Sequence, residues 1–375
     1  MKNNENTQVN SDEELTKSFY ETSSTPEKLN IFGKIQNEET KLELLSKIPE
    51  KEKYKFLGKL KNPQDIAEVL NGIEDEESKK KTFSFIAKQY KGNSKKFLEL
   101  LQKIDFSVQL PESMLGFNLN NLNDLNIDSL IQIQRNVENA ADLKFKINEK
   151  EAEKVEYSFA ELSAISAKIE ELTAGIPEDS SELEKFYTIY YRIISNITYN
   201  HDTVDKTNVE LENCRQEKLT TNCRYKDLGS INKKYDKKIA EIRRESAGLY
   251  GGLVDGKAIC VGYATILHEA LKKQKMKSLI VIGTQKNDWS QGHAWNQVQV
   301  DGKWYNVDAT FDASMCQRTG DIAFMLRGDD TFAHDNYFID TKNTHTCPKD
   351  CPLETFKFMT IVNQNRWWGG IKNGR

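Results

Sequence analysis

The chain has 375 residues, 38% of them hydrophobic, which is enough for two or three domains with a real core in at least part of the length. A net charge of −4, with lysines and glutamates interspersed, gives no bulk attraction to nucleic acid or to an anionic membrane. No apolar run approaches the roughly 20 residues that span a bilayer.

The first residues, Met1 to Glu14, are polar and lack the apolar stretch of a secretory signal. The segment 1–25 therefore reads as a disordered leader. The default compartment is the cytoplasm, although a leaderless secreted effector would look the same.

The region 26–110 carries an internal repeat. Phe32 to Ile48 aligns without gaps on Leu57 to Ile73, and on Lys88 to Ile104 through Asn93, Leu98, Glu99, Leu101 and Ile104. The copies start 25 and then 31 residues apart. Asn37, Asn62 and Asn93 each suit a helix N-cap, and Pro63 suits the first helical position. Short helices with one apolar stripe each cannot bury it alone, so they are expected to stack as an all-α domain of short helical repeats. An ordinary helical bundle with coincidental similarity is the alternative. Either arrangement offers a surface for a protein partner and no catalytic constellation.

Asp105 to Asp128 is rich in Leu and Asn and reads as an irregular connector, and Ile127 to Ala174 reads as charged helix. The two together make a segment 111–177 between domains. Ser181-Glu-Leu-Glu184 is a capping box. It opens a helix with Leu183, Phe186, Tyr187, Tyr190, Ile193, Ile194 and Ile197 on one face. His201 to Ser246 is a charged insertion, with a helix expected near Lys234 to Arg244, that serves as a lid, a substrate selector or a passive excursion.

Beyond Cys260, Tyr263, Ile266, Leu267, Ala270 and Leu271 recur at helical spacing and Lys272, Lys273 and Lys275 close the run, so Cys260 lies at a helix N-terminus. There the helix dipole favours thiolate over thiol, and free N–H groups of the first turn could hold an oxyanion. Gly251, Gly252, Gly256 and Gly262 suit a chain that bends sharply beside a substrate.

Asp301-Gly302 is a strong type I′ turn signal between alternating runs, so 296–307 reads as a hairpin. Counting outward, Val300 faces Lys303, Val298 faces Tyr305 and Trp295 faces Asp308, which makes His293 the diagonal neighbour of Asp308 on one face. A carboxylate there can accept a proton from one imidazole nitrogen and leave the other facing a thiol. Trp295, Trp304 and Tyr305 are expected to be packing residues, and Asn296 structural.

These residues together resemble the transglutaminase-like superfamily, in particular its bacterial and archaeal branch with a papain-like core. The likeness is carried by Ile194-Ser-Asn-Ile-Thr-Tyr199, Leu253-Val-Asp-Gly-Lys-Ala-Ile-Cys-Val-Gly-Tyr-Ala264, Gly292-His-Ala-Trp-Asn296, Gly302-Lys-Trp-Tyr-Asn-Val-Asp-Ala-Thr-Phe-Asp312, and Phe324-Met-Leu-Arg327 before Asn336-Tyr-Phe338. It implies an α+β catalytic domain over 178–345 behind the helical region, with 346–375 as a C-terminal extension. It also implies a Cys260, His293 and Asp308 triad acting on amide bonds through a thioester acyl-enzyme, with a protein or peptide substrate.

The class thus covers peptidases, deamidases and transamidases, with hydrolysis favoured because no special amine site is visible. A catalytically degenerate scaffold that binds partners through its helical region is the competing class. Animal-type members carry Trp after the nucleophile where this chain has Val261, which argues against calcium-dependent cross-linking. Tyr199 is placed to border the cleft or support the oxyanion. No cofactor or metal is expected. Cys214 and Cys223, and Cys347 and Cys351, are open to disulfides, free thiols or a shared zinc, and Cys316 has no partner to name.

Overall fold

The computed structural model describes residues 11–90, 92–120, 122–147, 156–220, 225–285, 288–334, 337–339 and 344–352. The chain divides into two compact units, one of 1–119 with 125–144 and the other of 120–124 with 145–375.

The first unit contains α1 (Asp12–Glu21), α2 (Thr25–Lys34), α3 (Glu38–Ser46), α4 (Glu50–Leu57), α5 (Pro63–Asn71), α6 (Glu76–Gln89), α7 (Ser94–Lys103), β1 (Gly116–Leu119) and α8 (Ile127–Asn136). The leader expected over 1–25 is helical from Asp12 onward. Ser11 caps α1 by accepting from the Glu14 N–H, and Leu15 and Phe19, four apart on one face, are buried. Residues 1–10 lie outside the described residues.

Asn37, Asn62 and Asn93 stand at the N-caps of α3, α5 and α7, with Oδ1 accepting from the N–H of Thr40, Gln64 and Lys96 at 3.0, 3.0 and 3.3 Å. The structure adds what the alignment did not contain, a second helix ahead of each copy. Helices α2, α4 and α6 pack in one row, and α1, α3, α5, α7 and α8 in another. The unequal offsets follow from that second row, because α6 has 14 residues where α4 has 8. The six-residue excess equals the difference between the two repeat lengths.

At the boundary, which falls between Lys144 and Phe145, β2 (Lys144–Ile147) and then β3 (Glu156–Ser158) of the second unit lie where continuous helix was expected. Lys144-Phe145-Lys146-Ile147 alternates exposed and buried, a period of two that helix-like composition had masked. Next come α9 (Phe159–Thr173), α10 (Glu182–Asn196), β4 (Thr198–Tyr199), α11 (His201–Thr220), α12 (Tyr225–Ala247), α13 (Leu249–Leu253), β5 (Lys257–Ala258) and α14 (Cys260–Lys273). The chain continues through β6 (Ser278–Gln285), β7 (Asp288–Val300), β8 (Lys303–Val307), α15 (Ala309–Thr319), α16 (Asp329–His334) and β9 (Tyr337–Ile339).

The capping box of α10 forms, with Ser181 and Glu184 each bonding the other's backbone N–H. Strands β8-β7-β6-β9 make an antiparallel sheet in that order, and α14 packs on β6 and β7. The α14 residues Tyr263, Ile266, Leu267, Ala270 and Leu271 are buried, so the apolar periodicity marks the face that meets the sheet. Helix α10 packs against α14 and α15, which completes an α+β arrangement.

The insertion is more regular than expected. Its two helices pack antiparallel, tied by Lys234 to Glu217 at 2.7 Å, Lys238 to Glu210 at 3.2 Å, and a small core of Cys214, Ile231 and Tyr235. Twenty residues of α11 extend about 30 Å. Among the described residues, no helix is long and apolar enough to cross a membrane.

Candidate active site

Parallel strands β4 and β5 run side by side, with Tyr199 beside Ala258, and deliver the chain to Cys260. Cys260 is the first residue of α14, after Ile259 at the N-cap. The glycines ahead of it have more specific tasks than bending beside a substrate. Gly256 takes φ +70° in the turn before β5. Gly252 lies within α13, where a Cβ would come within 2.3 Å of Ile266 Cδ1, so it lets α13 pack closely on the nucleophile helix.

The hairpin has the counted register, with Val300 opposite Lys303 and Val298 opposite Tyr305. Both turn residues take positive φ, 49° at Asp301 and 75° at Gly302, as a type I′ turn requires. Its end departs from the count. β8 stops at Val307, and Asp308 is the N-cap of α15, so no strand pair joins it to Trp295. As a cap, Asp308 accepts at Oδ1 from the N–H groups of Thr310 and Phe311, at 2.9 and 3.2 Å. That leaves Oδ2 for His293 Nε2, 2.6 Å away.

His293 also hydrogen-bonds Cys260, and with Nε2 engaged by Asp308 the nitrogen facing sulfur is Nδ1. The three expected residues thus stand in series as thiol, imidazole and carboxylate. Asp308 is fully buried, His293 nearly so, and Cys260 partly accessible.

Burial of Cys260 disfavours its thiolate, yet the bond and charge of His293 and a bond from the Ala294 N–H outweigh this and hold the thiol below its ordinary range. Burial works against the imidazolium too. Its bond and charge contact with Asp308, and then its bond to Cys260, overcome that and raise His293 above its usual value. A thiolate–imidazolium pair is the state this geometry favours.

Tyr199 borders this group. Burial, reinforced by the charges of Cys260 and Asp308 and opposed by Arg243, pushes its hydroxyl up to about 12. The base of the α11–α12 hairpin sits at the same place. Asn200 Nδ2 donates to Ser246 Oγ at 2.7 Å, Thr203 Oγ1 lies 3.0 Å from Ser246 Oγ, and the Ser246 carbonyl accepts the Ile259 N–H at 2.9 Å.

Asn296, on the other face of β7, donates to the carbonyls of Ala264 and Leu279 and so fastens the sheet to α14. Trp295 is buried with Val281 and Phe332, and Trp304 stacks on His345 at 3.9 Å. The start of the expected C-terminal extension packs on the hairpin, with Cys347 fully buried and its Sγ 3.4 Å from Gln297 Nε2. Residues 353–375 lie outside the described residues.

Cys214, Cys316, Cys347 and Cys351 are free thiols, while Cys223 lies outside the described residues. Burial pushes Cys347 up to about 12 with help from Asp329, and burial also raises Cys351 and Cys316. Cys260 is shifted toward thiolate, whereas Cys316, Cys347 and Cys351 are shifted away from it. Among the described residues, no three His, Cys, Asp or Glu side chains converge as a metal site.

An antiparallel sheet backed by a helix that starts with a thiol, which faces an imidazole on β7 and a carboxylate at the N-cap of α15, defines an α+β protein. Residues 216–309 match the model of the transglutaminase-like superfamily, so this part of the chain is similar to transglutaminase-like domains. The match contains Cys260, His293 and Asp308. Comparison with solved structures finds the crystal structure of a TGase, 19% identical, covering 40% of this chain and 32% of that one, with a TM-score of 0.27. Comparison with curated proteins finds no match.

Proposed function

We propose that the protein is a cysteine-dependent enzyme acting on amide bonds of a protein or peptide, as a peptidase or deamidase, through a papain-like core. The observation that carries this reading is the His293 imidazole held at 2.6 Å by Asp308 on one side and bonded to Cys260 at the start of α14 on the other.

In the proposed cycle the Cys260 thiolate adds to the amide carbonyl carbon, and the oxyanion is held by first-turn N–H groups of α14. Collapse breaks the C–N bond while the His293 imidazolium gives its proton to the leaving amine, leaving a thioester. Neutral His293 then takes a proton from water, the hydroxide adds to the thioester, and sulfur leaves as the carboxylic acid departs. Asp308 keeps Nε2 protonated and oriented throughout. Tyr199 borders the cleft. Hydrolysis is preferred to transamidation, and Val261 in place of Trp sets the chain apart from the calcium-dependent cross-linkers it resembles.

The test is alkylation of the full chain by iodoacetamide across pH, read residue by residue by mass spectrometry, together with turnover of small amide reporters. Cys260 should react with a midpoint below the roughly 8.5 of an ordinary thiol. Turnover should rise with pH through that depressed midpoint and fall again where the raised His293 loses its proton. Cys260→Ser should remove both signals. If Cys316 reacts as fast as Cys260 and no reporter is turned over, the inert scaffold that binds partners through its helical unit replaces this reading.

A further inference from the structure

Asp308 has each carboxylate oxygen committed, so the position of its main chain decides where the oxygen facing His293 lies. That main chain is held by an unusual set of partners. The Asp308 N–H donates to the Phe324 carbonyl at 3.0 Å, and its own carbonyl lies 3.1 Å from the Tyr190 hydroxyl of α10.

Tyr190 is also 2.6 Å from Oδ2 of Asp312, one turn further along α15. Asp312 Oδ1 accepts the N–H groups of Ala323 and Phe324 at 2.7 and 2.8 Å. The contacts close a ring through Tyr190, Asp312, the 323–324 segment and Asp308, in which the one Tyr190 hydrogen is shared between Asp312 Oδ2 and the Asp308 carbonyl. The same segment supports the imidazole from the side, because Phe324 packs on Phe311 at 5.3 Å and Phe311 on His293 at 5.2 Å.

We propose that Tyr190 and Asp312 are positioning residues that hold Asp308 against His293 and so keep Cys260 activated, a role that rests on the thiol reading above. Two features favour this over a generic brace. Asp312 is fully buried beside a second carboxylate, and burial with the Asp308 charge pushes it up to about 6, an expensive place for a charge where a neutral amide would also fill the space. Three donors converge on it, and charge-assisted bonds fix geometry more tightly than neutral ones. The ring also joins α10, α15 and the 323–324 segment at the one residue whose displacement would release the imidazole.

The experiment measures the pH midpoint of Cys260 alkylation, kcat and KM on a reporter amide, and melting temperature, for the full chain and three variants. Tyr190→Phe removes one oxygen and keeps the ring stacked on Phe186. Loss of the hydrogen that Tyr190 shares between Asp312 and the Asp308 main chain should lower kcat about tenfold with KM little changed, and raise the Cys260 midpoint by about one pH unit.

Asp312→Ala should do the same or more. Asp312→Asn should recover part of that loss. Its oxygen can face the Ala323 and Phe324 N–H groups while its NH2 donates to Tyr190, whose hydrogen is then free for the Asp308 carbonyl. Should Asp312→Ala fail to fold, Tyr190→Phe carries the test alone. A depressed wild-type midpoint left unmoved by Tyr190→Phe, with only the melting temperature lowered, overturns the positioning role and leaves the thiol reading standing. An ordinary thiol midpoint in the wild type overturns both.

Discussion

Replacing Asp308 with Asn separates two tasks that one side chain performs. At Oδ1 it caps α15, and Asn is as good an N-cap as Asp, so the bonds from Thr310 and Phe311 can persist. At the other position a carboxylate oxygen 2.6 Å from His293 Nε2 becomes an NH2 group, a donor facing a donor. The imidazole must then present a lone pair at Nε2 and carry its proton on Nδ1, toward Cys260, where it can no longer accept the thiol proton.

The cost to turnover should be on the order of 10³–10⁴, the scale of such a tautomer inversion. The cost to stability should stay below about 1 kcal/mol, or ~2–4 °C, since the cap survives and a buried charge is removed. Asp308→Ala loses the cap as well, which adds about 1 kcal/mol. Reporter turnover, the pH profile of Cys260 alkylation and thermal unfolding measured on the same preparations give the three quantities. The Cys260 midpoint should climb toward that of an ordinary thiol in Asp308→Asn, because the imidazolium loses the charge that raised it. An Asp308→Asn protein that keeps near wild-type turnover and midpoint would remove Asp308 from the mechanism.

Gly262→Ala tests the footing of the helical insertion on the nucleophile helix. Its Cβ would come within 2.4 Å of the Ser246 carbonyl oxygen, which is backbone and cannot rotate away, so unfolding should cost about 1–3 kcal/mol less and Cys260 alkylation should slow; an unchanged melting temperature would show that Ser246 is loosely held. Asn62→Ala should destabilise the helical unit by about 1 kcal/mol and Asn62→Gly by only a few tenths, read by chemical denaturation, since Asn62 supplies the bond to the Gln64 N–H. Equal losses in the two variants would count against capping as its task.

Local chemistry made several features of this chain legible without coordinates. A type I′ turn fixes which residues pair across it, so Asp301-Gly302 was enough to set the register from Val300 and Lys303 to Val298 and Tyr305. An asparagine caps a helix through bonds to N–H groups two or three residues on, so Asn37, Asn62 and Asn93 marked three helix starts unaided. The apolar spacing after Cys260 fixed where α14 begins for the same reason, since a 3.6-residue period needs only the neighbours in the chain.

What escaped depended on partners far away in sequence. The strand count carried Asp308 past the end of β8, because a ladder does not announce where tertiary contacts turn the chain into a helix. Asp308, Thr310 and Phe311 in hindsight hold a capping signal. The repeat alignment found one helix in each pair and missed the other, whose length changes from 8 residues in α4 to 14 in α6.

The ring through Tyr190 and Asp312 joins residues 122 apart, and no periodicity in the sequence could bring them together. The same holds for Ser246, whose carbonyl meets the chain just before Cys260. Residue types and their spacing thus determined which side chains are candidates for thiol chemistry, because side-chain chemistry and pairing register are local properties. The tertiary fold alone decided which oxygen of Asp308 meets His293 and what holds it there, because only packing brings α10, α15 and the 323–324 segment to one point.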